Sequence, residues 1–243
     1  MIKKIAKTIL IFLLNIFFAL IFRRDIFKNT NVKQTINLYE KKGGFVSFFV
    51  KIRFWDSPFK EIENLVPPKG RILDLGCGDG ISANYLAICS PKRIVRGIEI
   101  DRNRIKSANM NLRNTKFVKG DIVKNDFKGK YDAILLTHVL HHLKSREDQE
   151  KILLKCKKSL KRKGKLIITE IIERPVGKYI FTYLTDTLIV PILFGDSLID
   201  NKFYYRKQQE WTRILSQFGY ESKVKIASKG KPFSHAIYIC KVK

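Results

Sequence analysis

Residues 71–80 read Arg-Ile-Leu-Asp-Leu-Gly-Cys-Gly-Asp-Gly and run straight into Ile81-Ser-Ala-Asn-Tyr-Leu-Ala-Ile-Cys89. A short apolar run, three glycines at alternate positions and then a helical pattern predict a strand, a tight turn and a helix. Glycines there let the backbone turn sharply and approach a ligand closely. The spacing is G-x-G-x-G with Ile at position 81. It is therefore neither the G-x-G-x-x-G dinucleotide fingerprint nor a phosphate loop ending in G-K-[ST]. In an open α/β sheet the ligand is expected beyond the carboxyl ends of the strands.

Outward from this turn the chain alternates. Arg93–Ile100, Lys116–Asp121, Tyr131–Val139 and Lys165–Ile172 read as strands, with helices over Ile81–Cys89, Arg102–Leu112 and Arg146–Lys161. That rhythm predicts a mostly parallel sheet with helices on both faces. The tail departs from it. Gln208–Phe218 is a helix ended by Gly219, and Glu221–Ala227 and Ala236–Val242 form a hairpin across Ser228–Pro232, so the last of seven strands is expected to run antiparallel. Residues 29–70 read as a helical cap, Asn31–Lys42 and then Phe45–Leu65 broken at Asp56-Ser57-Pro58. Residues 173–205 are an insertion with apolar stretches Tyr179–Leu184 and Leu188–Phe194, expected to form a lid or substrate wall.

The second strand ends in Glu99, a carboxylate where a ribose diol would be gripped, and the third in Asp121, an acceptor for an adenine amino group. Together these residues resemble the class I S-adenosylmethionine-dependent methyltransferases, over about residues 60–243. The resemblance implies a Rossmann-like α/β fold, with residues 71–243 as the methyltransferase domain, and S-adenosylmethionine as cofactor. It implies that Asp74 orders the methionyl amino end and that Gly76, Gly78 and Gly80 make room. Glu99 would hold the ribose with Ile100 against the adenine, and Asp121 the adenine amino group with Ile122 beside it. Thr137-His-Val-Leu-His-His-Leu143 resembles the loop of the family's small-molecule members. It carries neither the Asn/Asp-Pro-Pro-aromatic signature of amino methylation nor a Pro-Cys nucleophile. His138 is expected beside the cofactor's methyl group, to orient or deprotonate an acceptor, with His141 the second candidate. Many members use no dedicated base.

The net charge is +26, with 48 Lys+Arg against 22 Asp+Glu. Such a balance calls for nucleic acid, an anionic membrane or an acidic substrate, or is a solvated lysine surface. No RNA-binding module or aromatic-interleaved basic ribbon is present, so an RNA acceptor ranks behind a lipid, quinone-like or other apolar small molecule. The four cysteines lack C-x-x-C spacing, and neither a disulfide framework nor a metal is expected. Residues 5–22 are apolar apart from Lys7, Thr8 and Asn15, with basic residues on both sides. No small-residue cleavage site follows Ala19, and residues 1–28 are read as a membrane anchor helix, spanning or interfacial. Phe45–Trp55 is a second apolar and basic stretch, either a membrane-surface helix or a helix over the cofactor cleft. The localisation expected is a membrane-attached protein with its catalytic domain in the cytoplasm. A non-catalytic binding protein on the same fold is the reading from another class.

Overall fold

The computed structural model describes residues 28–189 and 203–243. Its strands are β1 (Gly70–Leu75), β2 (Arg93–Glu99), β3 (Thr115–Lys119), β4 (Tyr131–Thr137), β5 (Leu160–Ile171), β6 (Tyr220–Ile226) and β7 (His235–Val242). They form one seven-stranded sheet in the order β3-β2-β1-β4-β5-β7-β6. Pairings among β1 to β5 are parallel, and β7 is antiparallel to both β5 and β6. Seven strands with an antiparallel final strand are what the sequence predicts. Because β1 lies between β2 and β4, the chain reverses direction across the sheet there, and a crevice opens at the carboxyl ends of those strands.

The helices are α1 (Thr30–Glu40), α2 (Gly44–Asp56), α3 (Phe59–Glu63), α4 (Ile81–Cys89), α5 (Arg102–Ala108), α6 (Arg146–Ser159), α7 (Val176–Leu184) and α8 (Gln208–Gln217). Strand side chains alternate between two cores. Ile72, Ala133, Leu135, Ile167 and Ile237 pack with α1 to α4, whereas Leu73, Leu75, Ile134, Leu136, Leu166 and Ile168 pack with α6 and α8. Strands buried on both faces read as continuous apolar runs, and each fully buried Leu or Ile contributes about 1.5–3 kcal/mol.

Two boundaries differ from expectation for local reasons. Helix α5 stops at Ala108, four residues short of Leu112, because Asn109 is extended and its side-chain carbonyl accepts the Asn111 amide at 3.1 Å. Asn111 then takes a left-handed φ of 56°, which Asn tolerates better than most residues. Strand β5 begins at Leu160, within the expected helix, where Leu160 pairs with Tyr131 before the register shifts.

Helix α2 is the stretch with two readings, and it packs over the crevice: Phe48, Val50 and Phe54 are buried in the domain. Among the described residues no helix is long and apolar enough to cross a membrane. The expected anchor over residues 5–22 lies outside the described residues, as does most of the apolar stretch Leu188–Phe194. The first half of the insertion forms α7, followed by a single π turn over Thr185–Ile189.

Candidate active site

The glycine turn has φ values of 65°, 53° and 71° at Gly76, Gly78 and Gly80, but the three glycines do different jobs. A Cβ at Gly76 would meet Val139 at 2.8 Å, and one at Gly80 would meet Ala108 at 2.7 Å and Phe117 at 2.9 Å. Those two permit close packing of the turn on its neighbours. At Gly78 the nearest atom is Arg104 at 3.7 Å, so this is the glycine whose bare face opens on the crevice. Glu99 fastens the loop: its Oε2 accepts the Gly78 amide at 2.9 Å, and its Oε1 accepts the Ile100 and Asp101 amides at 2.8 and 3.0 Å. A carboxylate takes about four donors, so Oε2 keeps one position for a further hydroxyl. Asp74 is 2% exposed, and its Oδ2 has no partner among the described residues. Burial and the nearby Glu99 push its carboxyl up to about 7.

The remaining expected cofactor residues lie along β2 and β3. Ile100 is 60% exposed at the end of β2, free to lie against a flat ring. Asp121 accepts the Val123 and Lys124 amides through Oδ1 at 2.8 and 3.2 Å and so braces its own turn. Ile122 is packed into the core, 8% exposed, beneath that turn.

Strand β4 ends in a turn that carries both candidate histidines. His138 has a φ of 55°, rare outside glycine, while its amide donates to the Thr169 carbonyl at 2.9 Å. The left-handed step turns its side chain away from the sheet direction and into the crevice. Its Nδ1 lies 2.9 Å from Arg53 Nη2 and its Nε2 lies 3.0 Å from His235 Nδ1. Burial, with Arg53 and His235 alongside, lowers its pKa well below that of a free imidazole. His141 is pushed the other way. Its Nδ1 meets Glu170 Oε2 at 2.5 Å, and its Nε2 lies 4.0 Å from Asp186, which also accepts the Tyr205 hydroxyl at 2.6 Å. Burial opposes charge on His141, yet Glu170 and Asp186 outweigh it and raise its pKa. Tyr205 stacks on the ring at 5.0 Å and 15°.

A cavity of about 300 Å³ joins these parts. Asp74, Gly76 and Gly78 line one side; His138 and His141 line another; Phe49, Ile52, Trp55, Ile171, Phe181 and Phe233 make it largely apolar. Of the tyrosines and aspartates of the insertion, Asp186 lines the cavity, Tyr205 bonds to Asp186, Tyr179 packs edge-on and Tyr183 tilted against Tyr205, and the Tyr204 backbone bonds to His141; Asp196 and Asp200 lie outside the described residues. The residues missed from sequence are Arg53, Asp56, Glu170 and His235. Glu170 had a readable signal, a carboxylate inside the apolar run Ile167–Ile172.

Residues 73–168 match the family model described as a methyltransferase domain. Those residues form a methyltransferase domain of the class I, S-adenosylmethionine-dependent kind. Over 119 residues it is 29% identical to a demethylmenaquinone methyltransferase of Thermotoga maritima, covering 47% of this chain and 51% of that protein. Over 135 residues it is 32% identical to indole glucosinolate O-methyltransferase 5 of Arabidopsis thaliana, covering 56% of this chain and 34% of that one. The chain thus spans about half the length, or less, of these relatives. Among solved structures it shares the fold of NcsB1, an O-methyltransferase from neocarzinostatin biosynthesis in complex with S-adenosyl-L-homocysteine and 1,4-dihydroxy-2-naphthoic acid. That match is 14% identical with a TM-score of 0.56 and covers 76% of this chain and 53% of that one.

The methyltransferase cofactor fits the residues present. An orphaned buried carboxylate oxygen on Asp74 awaits a cationic donor, the open face of Gly78 admits close approach, and Oε2 of Glu99 has room for one hydroxyl. The exposed Ile100 extends the same surface along the sheet edge.

Proposed function

We propose that the protein is a membrane-associated methyltransferase that moves the methyl group of S-adenosylmethionine to an apolar small molecule, quinone-like or lipid, with its catalytic domain on the cytoplasmic side. One observation carries this: the glycine turn with its orphaned Asp74 opens into the same cavity as an apolar wall from α2, β5 and α7. The bound cofactor supplies an activated methyl group. The chain's part is to hold the cofactor's amino end on Asp74 and its ribose on Glu99, to seat the acceptor between α2 and α7, and to keep water out. A ring-shaped acceptor is supported by the names of the relatives, which methylate demethylmenaquinone and an indole glucosinolate, and by the naphthoic acid held by NcsB1.

The membrane part rests on three features. Residues 5–22 are apolar, the net charge is +26, and α7 exposes Val176, Ile180, Phe181, Tyr183 and Leu184 near the cavity mouth. An apolar helix face amid basic residues suits an anionic surface, where each Lys or Arg contributes about 1 kcal/mol.

The test has two arms. Calorimetry should show S-adenosylmethionine binding that Glu99→Ala weakens at least tenfold; no binding by the wild type refutes the reading. Incubation of lipid and RNA extracts with radiolabelled cofactor should label the lipid fraction. Label in RNA instead would shift the acceptor to nucleic acid, which the charge alone favours, and label in neither would leave a binding protein. Flotation with phosphatidylglycerol vesicles, before and after removal of residues 1–28, tests the attachment.

A further inference from the structure

A hydrogen-bond relay crosses from the helical cap into the glycine turn and out again to α5. The Tyr39 hydroxyl, near the end of α1, donates to the Asp79 carbonyl at 2.7 Å and accepts from Asn84 Nδ2 at 2.8 Å. The same Nδ2 also donates to the Ala108 carbonyl at 2.9 Å. Tyr39, Asn84 and Ala108 are fully buried, each at 0% exposure. The directions are forced. A carbonyl only accepts, so the hydroxyl gives its one proton to Asp79 and takes its other bond from the amide. Burial pushes the Tyr39 hydroxyl above the ordinary phenol range, which keeps that proton in place. Turning the Asn84 amide over would set its oxygen against the Ala108 carbonyl, two acceptors face to face. The nitrogen therefore stays on the relay, and Asn84 Oδ1 is left without a partner among the described residues. An orphaned buried oxygen calls for a reason, and the turn and helix that the nitrogen joins supply one.

The peptide between Asp79 and Gly80 is bonded at both ends, its carbonyl by Tyr39 and its N–H by the Cys77 carbonyl at 2.9 Å. Glycine accepts either sign of φ, so the backbone on the Gly80 side does not select the orientation of that peptide by itself. Two pins set the turn: Glu99 at the Gly78 amide and Tyr39 at the Asp79 carbonyl. The first comes from the sheet. The second comes from a helix outside residues 73–168, the stretch that matches the methyltransferase model. Lys42 adds to the link, its Nζ donating to the Lys106 and Asn109 carbonyls at the end of α5 at 3.2 and 3.3 Å.

We propose that Tyr39 is a positioning residue for the cofactor, acting through Asp79 and Asn84 to hold the glycine turn in its binding shape against α5, and that filling the cofactor site is thereby coupled to docking of α1. The inference rests on the methyltransferase reading and adds a part of the cap to it. Tyr39 has no exposed surface, so it acts on the cofactor only through the turn. A ligand that prefers the pinned turn also prefers the docked helix, and by reciprocity it holds that helix more firmly. Helix α2 follows α1 after Gly43 and walls the cavity with Phe49, Ile52 and Trp55, so the filled cofactor site steadies the acceptor wall as well.

The experiment compares the full chain with its Tyr39→Phe and Ile36→Ala variants. S-adenosylhomocysteine is titrated by calorimetry, and amide hydrogen exchange is followed over residues 30–40 against residues 208–217 of α8. Tyr39→Phe removes one hydroxyl and keeps the ring. It is expected to weaken S-adenosylhomocysteine roughly tenfold and to remove most of the extra slowing of α1 exchange, relative to α8, that the ligand produces in the wild type. Ile36→Ala deletes a buried side chain of the same helix that takes no part in the relay. It is expected to lower the melting temperature at least as far while leaving affinity within twofold. Equal affinity in wild type and Tyr39→Phe overturns the proposal, as does wild-type α1 exchange that the ligand slows no more than that of α8. Equal loss of affinity in both variants overturns it too, since the stability of the cap alone then accounts for the effect. Wild-type protein that binds no S-adenosylhomocysteine overturns the methyltransferase reading and this inference with it; the other outcomes leave that reading standing.

Discussion

Adding one methyl group at Gly80 and one at Gly78 should separate folding from binding. At Gly80 a Cβ would sit 2.7 Å from Ala108 and 2.9 Å from Phe117, at a φ of 71°. The left-handed conformation costs an L-residue about 1–2 kcal/mol, and forcing a methyl into a packed site costs about 1–3 kcal/mol more. Taking about 3 kcal/mol for the sum, Gly80→Ala should lower the melting temperature by about 6–12 °C in a domain of this size. At Gly78 the strain is similar at 53°, but the nearest atom is 3.7 Å away. Gly78→Ala keeps only the strain, about 1.5 kcal/mol, and should therefore lose about 3–6 °C. Its methyl would stand in the crevice where the cofactor's backbone contact is expected, and a tenfold weaker affinity corresponds to about 1.4 kcal/mol. Scanning calorimetry gives the first quantity and titration calorimetry with S-adenosylmethionine the second. If Gly78→Ala binds as wild type does, or Gly80→Ala melts with wild type, the division of labour among these glycines is wrong.

Other consequences follow from the buried charges. Asp74, pushed up to about 7, must ionise to hold the cofactor's ammonium, so affinity should fall about tenfold per pH unit below about pH 7 and be flat in Asp74→Asn, as calorimetry from pH 6 to 8 would show. A carboxyl whose pKa is raised by folding destabilises the fold at high pH, so Asp74→Asn should melt higher than wild type at pH 8, with the gap closing towards pH 5. The raised pKa of His141 has the reverse consequence: its pairing stabilises below the unfolded imidazole value and is lost as pH rises through the folded one. Glu170→Gln should thus cost more melting temperature at pH 6 than at pH 9, and proton NMR should show His141 alone titrating lower. Arg93, 2% exposed, donates to the Pro67, Leu86 and Val66 carbonyls and to the Glu63 carboxylate. Arg93→Met should orphan these acceptors and lower unfolding free energy by about 3–5 kcal/mol in urea.

Much of the cofactor half was legible because it is local. The strand, the glycine turn and the helix are contiguous, and the carboxylates of Glu99 and Asp121 follow from where the next two strands end. What each glycine does was not legible, since Val139, Ala108 and Phe117 are brought opposite only by the packed fold. The reading of Asp56-Ser57-Pro58 as a helix break is correct as far as it goes: α2 ends at Asp56 and Ser57 is extended before Pro58. Nothing local says that Asp56 meets His235, 179 positions away across the sheet. Glu170 is the avoidable miss, because a carboxylate in a two-sided apolar strand must find a buried partner. It finds His141 and the Leu140 amide.

The two histidines of the β4 turn show why the acceptor half resists local reading. They stand three residues apart on one turn with the same side chain, and the fold drives them in opposite directions. Burial, with Arg53 and His235 alongside, disfavours charge on His138, while the carboxylates of Glu170 and Asp186 favour the charged form of His141. Neither state is a property of the sequence around position 140; each is set by what α2, β5, β7 and the π turn after α7 bring to that turn. A pair of like groups pushed apart in pKa is how a site obtains a base and a cationic donor from one residue type. The residues proposed to hold the cofactor come from one unbroken stretch with two strand ends, so their placement depends less on the rest of the fold. The residues around the two histidines come from four separate elements, so a change in any of them shifts the protonation balance of the turn.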